Sequence, residues 1–166
     1  MKLIIRILLI AALAALGFWL WTVFFPSPER IIRKQLAGLA ADISFSQSQS
    51  DLVKIAHAQS VAGFFADNVV MNITIPGHDM QTTMGHDEIT QAVLTSRQAA
   101  TGIDLKFPDV NITVAPDKNS ATADVTVDAT VSGERNAVLQ EMKFTFEKTD
   151  GKWLIDQVET VQVITP

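Results

Sequence analysis

The last stretch of the chain, Val138 to Ile164, limits what the whole can fold into more than any other part. It reads VLQEMKFTFEKTDGKWLIDQVETVQVI, two alternating runs that meet at Asp150-Gly151. That dipeptide accepts positive φ at both centres of a type I′ hairpin turn. On the first run Met142, Phe144 and Phe146 share a face, opposite Glu141, Lys143, Thr145 and Glu147. On the second, Trp153 and Ile155 share a face, with Val161 and Val163 at the same parity. A hairpin this long has an apolar side that water does not tolerate alone, so it requires further strands and covering helices.

The chain before it supplies both. Ser27-Pro28-Glu29 reads as a helix start, with Ile32, Leu36, Leu39 and Ile43 recurring at helical spacing. Phe45 to Ser50 reads as a short polar linker, and Ser48 with Asp51 has capping-box spacing. A second helix is predicted to carry Leu52, Ile55, Ala56 and Ala62 on its inner side, with Gln59 interrupting that face. Val69 to Ile75 alternates as a strand that Pro76-Gly77 stops, and His78 to Met84 is predicted as a loop. A third helix follows from about His86 to Ala100, with Ile89, Ala92, Val93 and Ser96 inward. After Gly102 the period is two throughout: one strand kinked at Pro108-Asp109, a turn at Pro116 to Asn119, and an unbroken alternation from Ala121 to Val131. Ser132-Gly133-Glu134 then turns the chain into the final hairpin.

The N-terminal segment has a different character. From Ile7 to Phe25 the only polar side chain is Thr22, and as a helix this run spans roughly 28 Å, about one hydrocarbon core. A cleaved signal peptide competes, since Lys2 and Arg6 form a basic head and Ala12, Ala14 and Ala15 are small. The bulk of FWLWTVFF where a polar mature start should begin favours an uncleaved anchor, with Trp19 and Trp21 at the interface. The chain therefore divides into 1–26, a transmembrane signal-anchor, and 27–166, one domain, expected on the extracytoplasmic side of a bacterial membrane. The positive-inside count nearly ties, because Arg30, Arg33 and Lys34 flank the other end. Formal charge is −5, and setting aside Lys2 and Arg6 leaves the domain more acidic still. That balance speaks against a nucleic-acid partner. Cysteine is absent, which excludes disulfides and thiolate metal sites.

Helix, helix, strand, helix and then antiparallel strands is α+β order. Three pieces carry a more specific resemblance: Phe64-Phe65-Ala66-Asp67-Asn68-Val69-Val70, Gly85-His86-Asp87-Glu88-Ile89 and Asp150-Gly151-Lys152-Trp153-Leu154-Ile155. In their order and spacing the chain from Pro28 to Thr165 resembles the nuclear transport factor 2-like superfamily, which includes ketosteroid isomerase and the SnoaL-like cyclases. The resemblance implies a cone: three helices packed in a strongly bent, mostly antiparallel sheet, a pocket at the open end, and often a homodimer. Placed on that cone, the residues expected to line a pocket for a small apolar ligand are Phe65, Met71, Ile73, Met84, Phe107, Met142, Phe144, Trp153 and Gln157. Met80 joins Met71, Met84 and Met142 as a lining of adaptable thioethers, the alternative being that these methionines fill an ordinary core.

The resemblance does not bring catalysis with it. The isomerase branch uses a carboxylate base on its first strand and an oxyanion hole containing Tyr. Here that strand reads Val70-Met71-Asn72-Ile73-Thr74, and the chain has no Tyr. His78-Asp79 and His86-Asp87-Glu88 bracket the predicted loop, but their spacing matches no metal-ligand motif, and Asp87 and Glu88 suit a helix start. His57, among small residues, reads as structural. Glu159 is the sharpest candidate base: an unbroken last strand would turn it and Gln157 into the cone, whereas a bulge near Asp156 would turn it to water. The bulge is the preferred reading. The sequence thus predicts a membrane-anchored, non-catalytic ligand-binding or assembly module without cofactor or metal. Its rivals are a SnoaL-like isomerase, dehydratase or hydrolase and a scaffold of the type IV secretion kind.

Overall fold

The period-two alternation after Gly102 becomes the greater part of a single seven-stranded sheet. The computed structural model describes residues 26–46, 49–75, 78–133 and 138–164, with side chains throughout except at 75, 78, 79 and 162–164. The predicted span, Ser48, the Pro76-Gly77 stop and Glu134 lie outside the described residues. Helices α1 (Pro28–Ile43), α2 (Asp51–Ala62) and α3 (His86–Ala99) accompany strands β1 (Phe45–Ser46), β2 (Phe65–Ile75), β3 (His78–Met84), β4 (Gly102–Val114), β5 (Ser120–Val131), β6 (Val138–Thr149) and β7 (Lys152–Ile164). The spatial order is β1-β4-β5-β6-β7-β2-β3. Among the described residues only the β2–β7 pair is parallel. Among the described residues no helix is long and apolar enough to cross a membrane.

The final hairpin forms as its sequence requires. Asp150 (φ 51°) and Gly151 (φ 80°) both take the left-handed conformation of the type I′ turn. Phe144, Phe146, Trp153 and Ile155 point inward and are at most 5 % exposed. Ala121, Ala123, Val125 and Val127 of β5 lie beside them, and α1 lays Ile32, Leu36 and Leu39 on this floor. The kink at Pro108-Asp109 is a bulge that sets Phe107 and Pro108 together opposite Val127, between the paired Lys106–Asp128 and Asp109–Thr126.

Several local expectations are corrected. The polar linker contains a strand: Phe45 is buried, and Phe45 and Ser46 pair with Ile103 and Gly102. Beyond that short pairing the β4 edge is covered by α1. The Ser44 hydroxyl accepts the Leu105 N–H at 2.9 Å, and Arg33 Nη2 donates to the Val110 carbonyl at 3.1 Å. Such cover keeps an edge from pairing with another chain. His78 to Met84 is no loop but the outer strand of a hairpin with β2. Ser27 and Ser50 occupy the N-cap positions of α1 and α2, yet neither hydroxyl caps a backbone N–H. The predicted inner face of α2 is largely its outer one: Leu52 is 81 % exposed, and Ile55 and Ala56 are exposed too. The helix buries Ala58 and Val61 together with the expected Ala62. On the facing side Gly38 leaves room for Phe64, whose Cζ would stand 3.1 Å from an added Cβ.

A methionine-lined candidate binding surface

Strand parity decides which side chains can meet on the concave side. Met142 on β6 pairs with Thr160 on β7, and Ile73 on β2 pairs with Met80 on β3, forming one row across four adjacent strands. In the next row Phe144 faces Val158, Val158 faces Met71, and Met71 faces Thr82. Met84 pairs with the fully buried Val69. All four methionines after Met1 therefore project from the concave face of neighbouring strands. Met71, Met84 and Met142 are half-buried against the core, while Met80 is 51 % exposed. Gln140, 7 % exposed, adds one polar group, and its amide makes a long 3.5 Å contact to the Thr74 carbonyl. Among the described side chains this face carries no ionisable group. Unbranched, polarizable thioethers give an apolar surface that adapts to what it touches.

The remaining predicted pocket residues lie elsewhere. Phe65, Phe144 and Trp153 are closed into the core beneath the surface. Phe107 meets Phe144 at 6.1 Å between ring centres and lines a separate cleft of about 740 Å3 between α1 and β4. Gln157 and Glu159 turn away from the cone. The register of β6 with β7 jumps by one residue at Asp156, so Phe146 pairs with Ile155 but Thr145 pairs with Gln157. This bulge brings Val158 inside, 5 % exposed, and sets Glu159 outside, where it pairs with Lys143 at 3.3 Å. Inward placement of Gln157 is thus corrected. A second bulge, between Glu141 and Met142 of the partner strand, leaves Val161 56 % exposed.

The histidines do not assemble. The extended run of β3 separates His78 from His86 by roughly 20 Å. His86 Nε2 donates to the Phe65 carbonyl at 2.9 Å, where β2 bulges. Glu88 accepts the Gly85 N–H at 2.7 Å, as a capping residue. No group of three metal-ligating side chains occurs among the described residues.

Sequence reasoning missed a polar tie among the helices. Asp42 at the end of α1 accepts from His57 Nδ1 at 2.8 Å and from the Ser60 hydroxyl, both on α2. Beside it Arg97 of α3 is 6 % exposed, in place of the predicted Ala92 and Ser96, which are exposed. Its guanidinium donates to Gln49 Oε1 at 3.1 Å and to the Asp42 carbonyl, and stands 4.9 Å from the centre of the Phe45 ring. Burial lowers its pKa, and the Asp42 charge opposes that shift. A cation on the last carbonyls of a helix satisfies groups that lack an intrahelical partner. Ser60 bonds to Asp42 rather than to His57, so these residues form a helix clasp and not a nucleophile–base chain.

With this geometry in hand, comparison with known proteins decides the architecture. Neither the protein-family models nor the curated proteins give a match. Solved structures do. A putative scytalone dehydratase from Novosphingobium aromaticivorans superposes with a TM-score of 0.60 at 15 % identity, covering 82 % of this chain and 84 % of that one. An NTF2-like protein of unknown function from Pseudomonas putida gives 0.57 at 12 % identity, covering 78 % and 82 %. The fold is that of the nuclear transport factor 2-like proteins. A putative calcium/calmodulin dependent protein kinase II association domain from Xanthomonas campestris gives 0.51 at 18 % identity, covering 78 % and 80 %. A nuclear transport factor 2-like scaffold is thus shared by proteins whose names denote an enzyme and an association domain, and function must be argued from the site.

Proposed function

We propose that this protein is a membrane-anchored nuclear transport factor 2-like module that binds a small apolar ligand without transforming it. Residues 1–25 serve as its single-pass anchor, with the domain on the extracytoplasmic side of a bacterial membrane and a homodimer as the expected assembly. The observation that carries the binding role is the gathering of Met71, Met80, Met84 and Met142 on the concave face of three strands. Adaptable apolar contacts with one buried amide, Gln140, suit recognition of an apolar body by shape more than by charge. Acid–base chemistry at this surface lacks support: β2 brings no carboxylate inward, and Glu159 is paired with Lys143 on the outer face. The anchor is supported by the apolar run Ile7 to Phe25 and the bulk that follows its small residues.

The test uses the full chain in native-like membranes with a small apolar diazirine photoprobe, followed by peptide mapping. Labelling of peptides that contain Met71, Met80, Met84 or Met142, suppressed by excess unlabelled probe, is the expected result. Labelling confined to residues 1–25 would refute the binding role. A mature N-terminus near Leu16 or Gly17 in the same mapping would refute the anchor.

A further inference from the structure

Charge is distributed unevenly along the cone. Arg30, Arg33 and Lys34, at i, i+3 and i+4, share the exposed face of α1. Lys118 sits in the β4–β5 turn, close enough for its charge to act on Glu29 in the first turn of α1. Lys148 and Lys152 flank the β6–β7 turn, which is tied to the β4–β5 turn by the bond from the Lys148 N–H to the Asn119 carbonyl at 2.8 Å. Gln35 of α1 reaches the Trp153 carbonyl at 2.7 Å, so the helix start and both turns lie at one end of the domain. Six cations at this end meet four acids, Glu29, Asp117, Glu147 and Asp150; the other described residues hold thirteen acids and four cations. The cationic end is also the one from which the apolar residues 1–25 depart, since α1 begins at Pro28.

We infer that the turn end of the cone, with the exposed face of α1, rests on the anionic headgroups of the bilayer that holds the anchor. The inference rests on the anchoring proposed above. Basic groups next to a span are drawn to anionic lipid, and the attraction fades within about 10 Å at ordinary salt. The acidic remainder of the domain is repelled by the same surface. Attraction at one end and repulsion at the other hold the cone upright on its tether.

The absence of cysteine makes a direct test practicable. Single cysteines replace the exposed Asn119 at the turn end, or the exposed Thr130 near the far end of β5, in the full chain. Each carries a fluorophore, and the protein is reconstituted into phosphatidylcholine vesicles with or without phosphatidylglycerol, with a quencher fixed to the headgroups. Quenching at position 119 should be roughly twofold or more stronger with phosphatidylglycerol, and high salt should abolish the difference. The triple change Arg30→Gln, Lys34→Gln and Lys118→Asn should abolish it too, while position 130 stays unquenched. The salt arm needs no substitution and so stands even if the triple variant misfolds. Flotation with quenching indifferent to lipid charge, or equal at both positions, would overturn the orientation alone. Failure to float with either vesicle would overturn the anchor and the orientation together.

Discussion

Trp153→Ala tests the packing on which the cone depends. Among the described residues Trp153 is the largest fully buried side chain, 1 % exposed, and it belongs to the core that includes Ile32, Leu36 and Leu39 of α1. An indole buries roughly 200 Å2, and at about 25 cal/mol per Å2 the whole side chain contributes about 5 kcal/mol. Alanine keeps the first carbon and the surroundings relax only in part, which sets the loss at about 3–5 kcal/mol. The bond from Gln35 goes to the Trp153 carbonyl and survives the change, so the loss isolates the ring. The Lys148 ammonium, 5.9 Å from the ring centre, adds under about 1 kcal/mol at an exposed site. Urea titration in nanodiscs, followed by the sheet signal in circular dichroism, reads the difference. With a slope of about 2 kcal/mol per molar, the midpoint should fall by roughly 2 M. A loss below about 1 kcal/mol would show that Trp153 does not face the core and that the hairpin register is wrong.

Other outcomes follow from single contacts. Arg97→Ala should cost about 2–4 kcal/mol in the same titration, because the Asp42 carbonyl and Gln49 lose a buried charged donor. Arg97→Lys should recover only part, since an ammonium cannot reproduce the fork. Glu159→Gln should change stability by less than about 1 kcal/mol, its ion pair with Lys143 being part-exposed; a larger change would mean a buried role. The backbone N–H of Glu29, then the Ser27 hydroxyl and the Lys118 charge, hold the Glu29 carboxyl below its ordinary value of 4.5. The folded pKa is the lower one, so this contribution is present above pH 4.5 and is lost as pH falls through the folded value. Comparing acid titrations of the protein and its Glu29→Gln variant should show that part of the pH dependence removed, and identical curves would refute it.

Much of this was legible in the sequence where one physical signal acted alone. The alternation from Ala121 to Val131, the Asp150-Gly151 turn and the helical spacing of Ile32, Leu36 and Leu39 each had a single solution. The errors arose where two signals competed. On α2 a count of large apolar side chains placed Leu52 and Ile55 inward and passed over Ala58 and Val61, which are buried beside the expected Ala62. Close helix contact rewards small residues, which such a count cannot register. The polar run Asp79, Gln81, Thr82 and Thr83 resembled a loop because an outer strand is paired on one side only. Arg97 drew no expectation from the sequence, because its burial depends on Phe45 and the end of α1, both distant in sequence. The bulge at Asp156 did leave a trace: without it Gln157 would be buried in place of Val158. The methionine surface was legible residue by residue, but the row that joins Met142 to Met80 required the parallel pairing of β2 with β7.

The most direct measurement of the binding role is carbon-13 methyl NMR of methionine-labelled full-length protein in nanodiscs, titrated with a neutral fused-ring probe such as 2-naphthol. Met71, Met80, Met84 and Met142 supply methyl reporters on three strands of the proposed surface. If that surface binds, all four methyl signals shift together and saturate at one common concentration. Movement of Met80 alone, the exposed member of the set, or of none of them, would contradict the account.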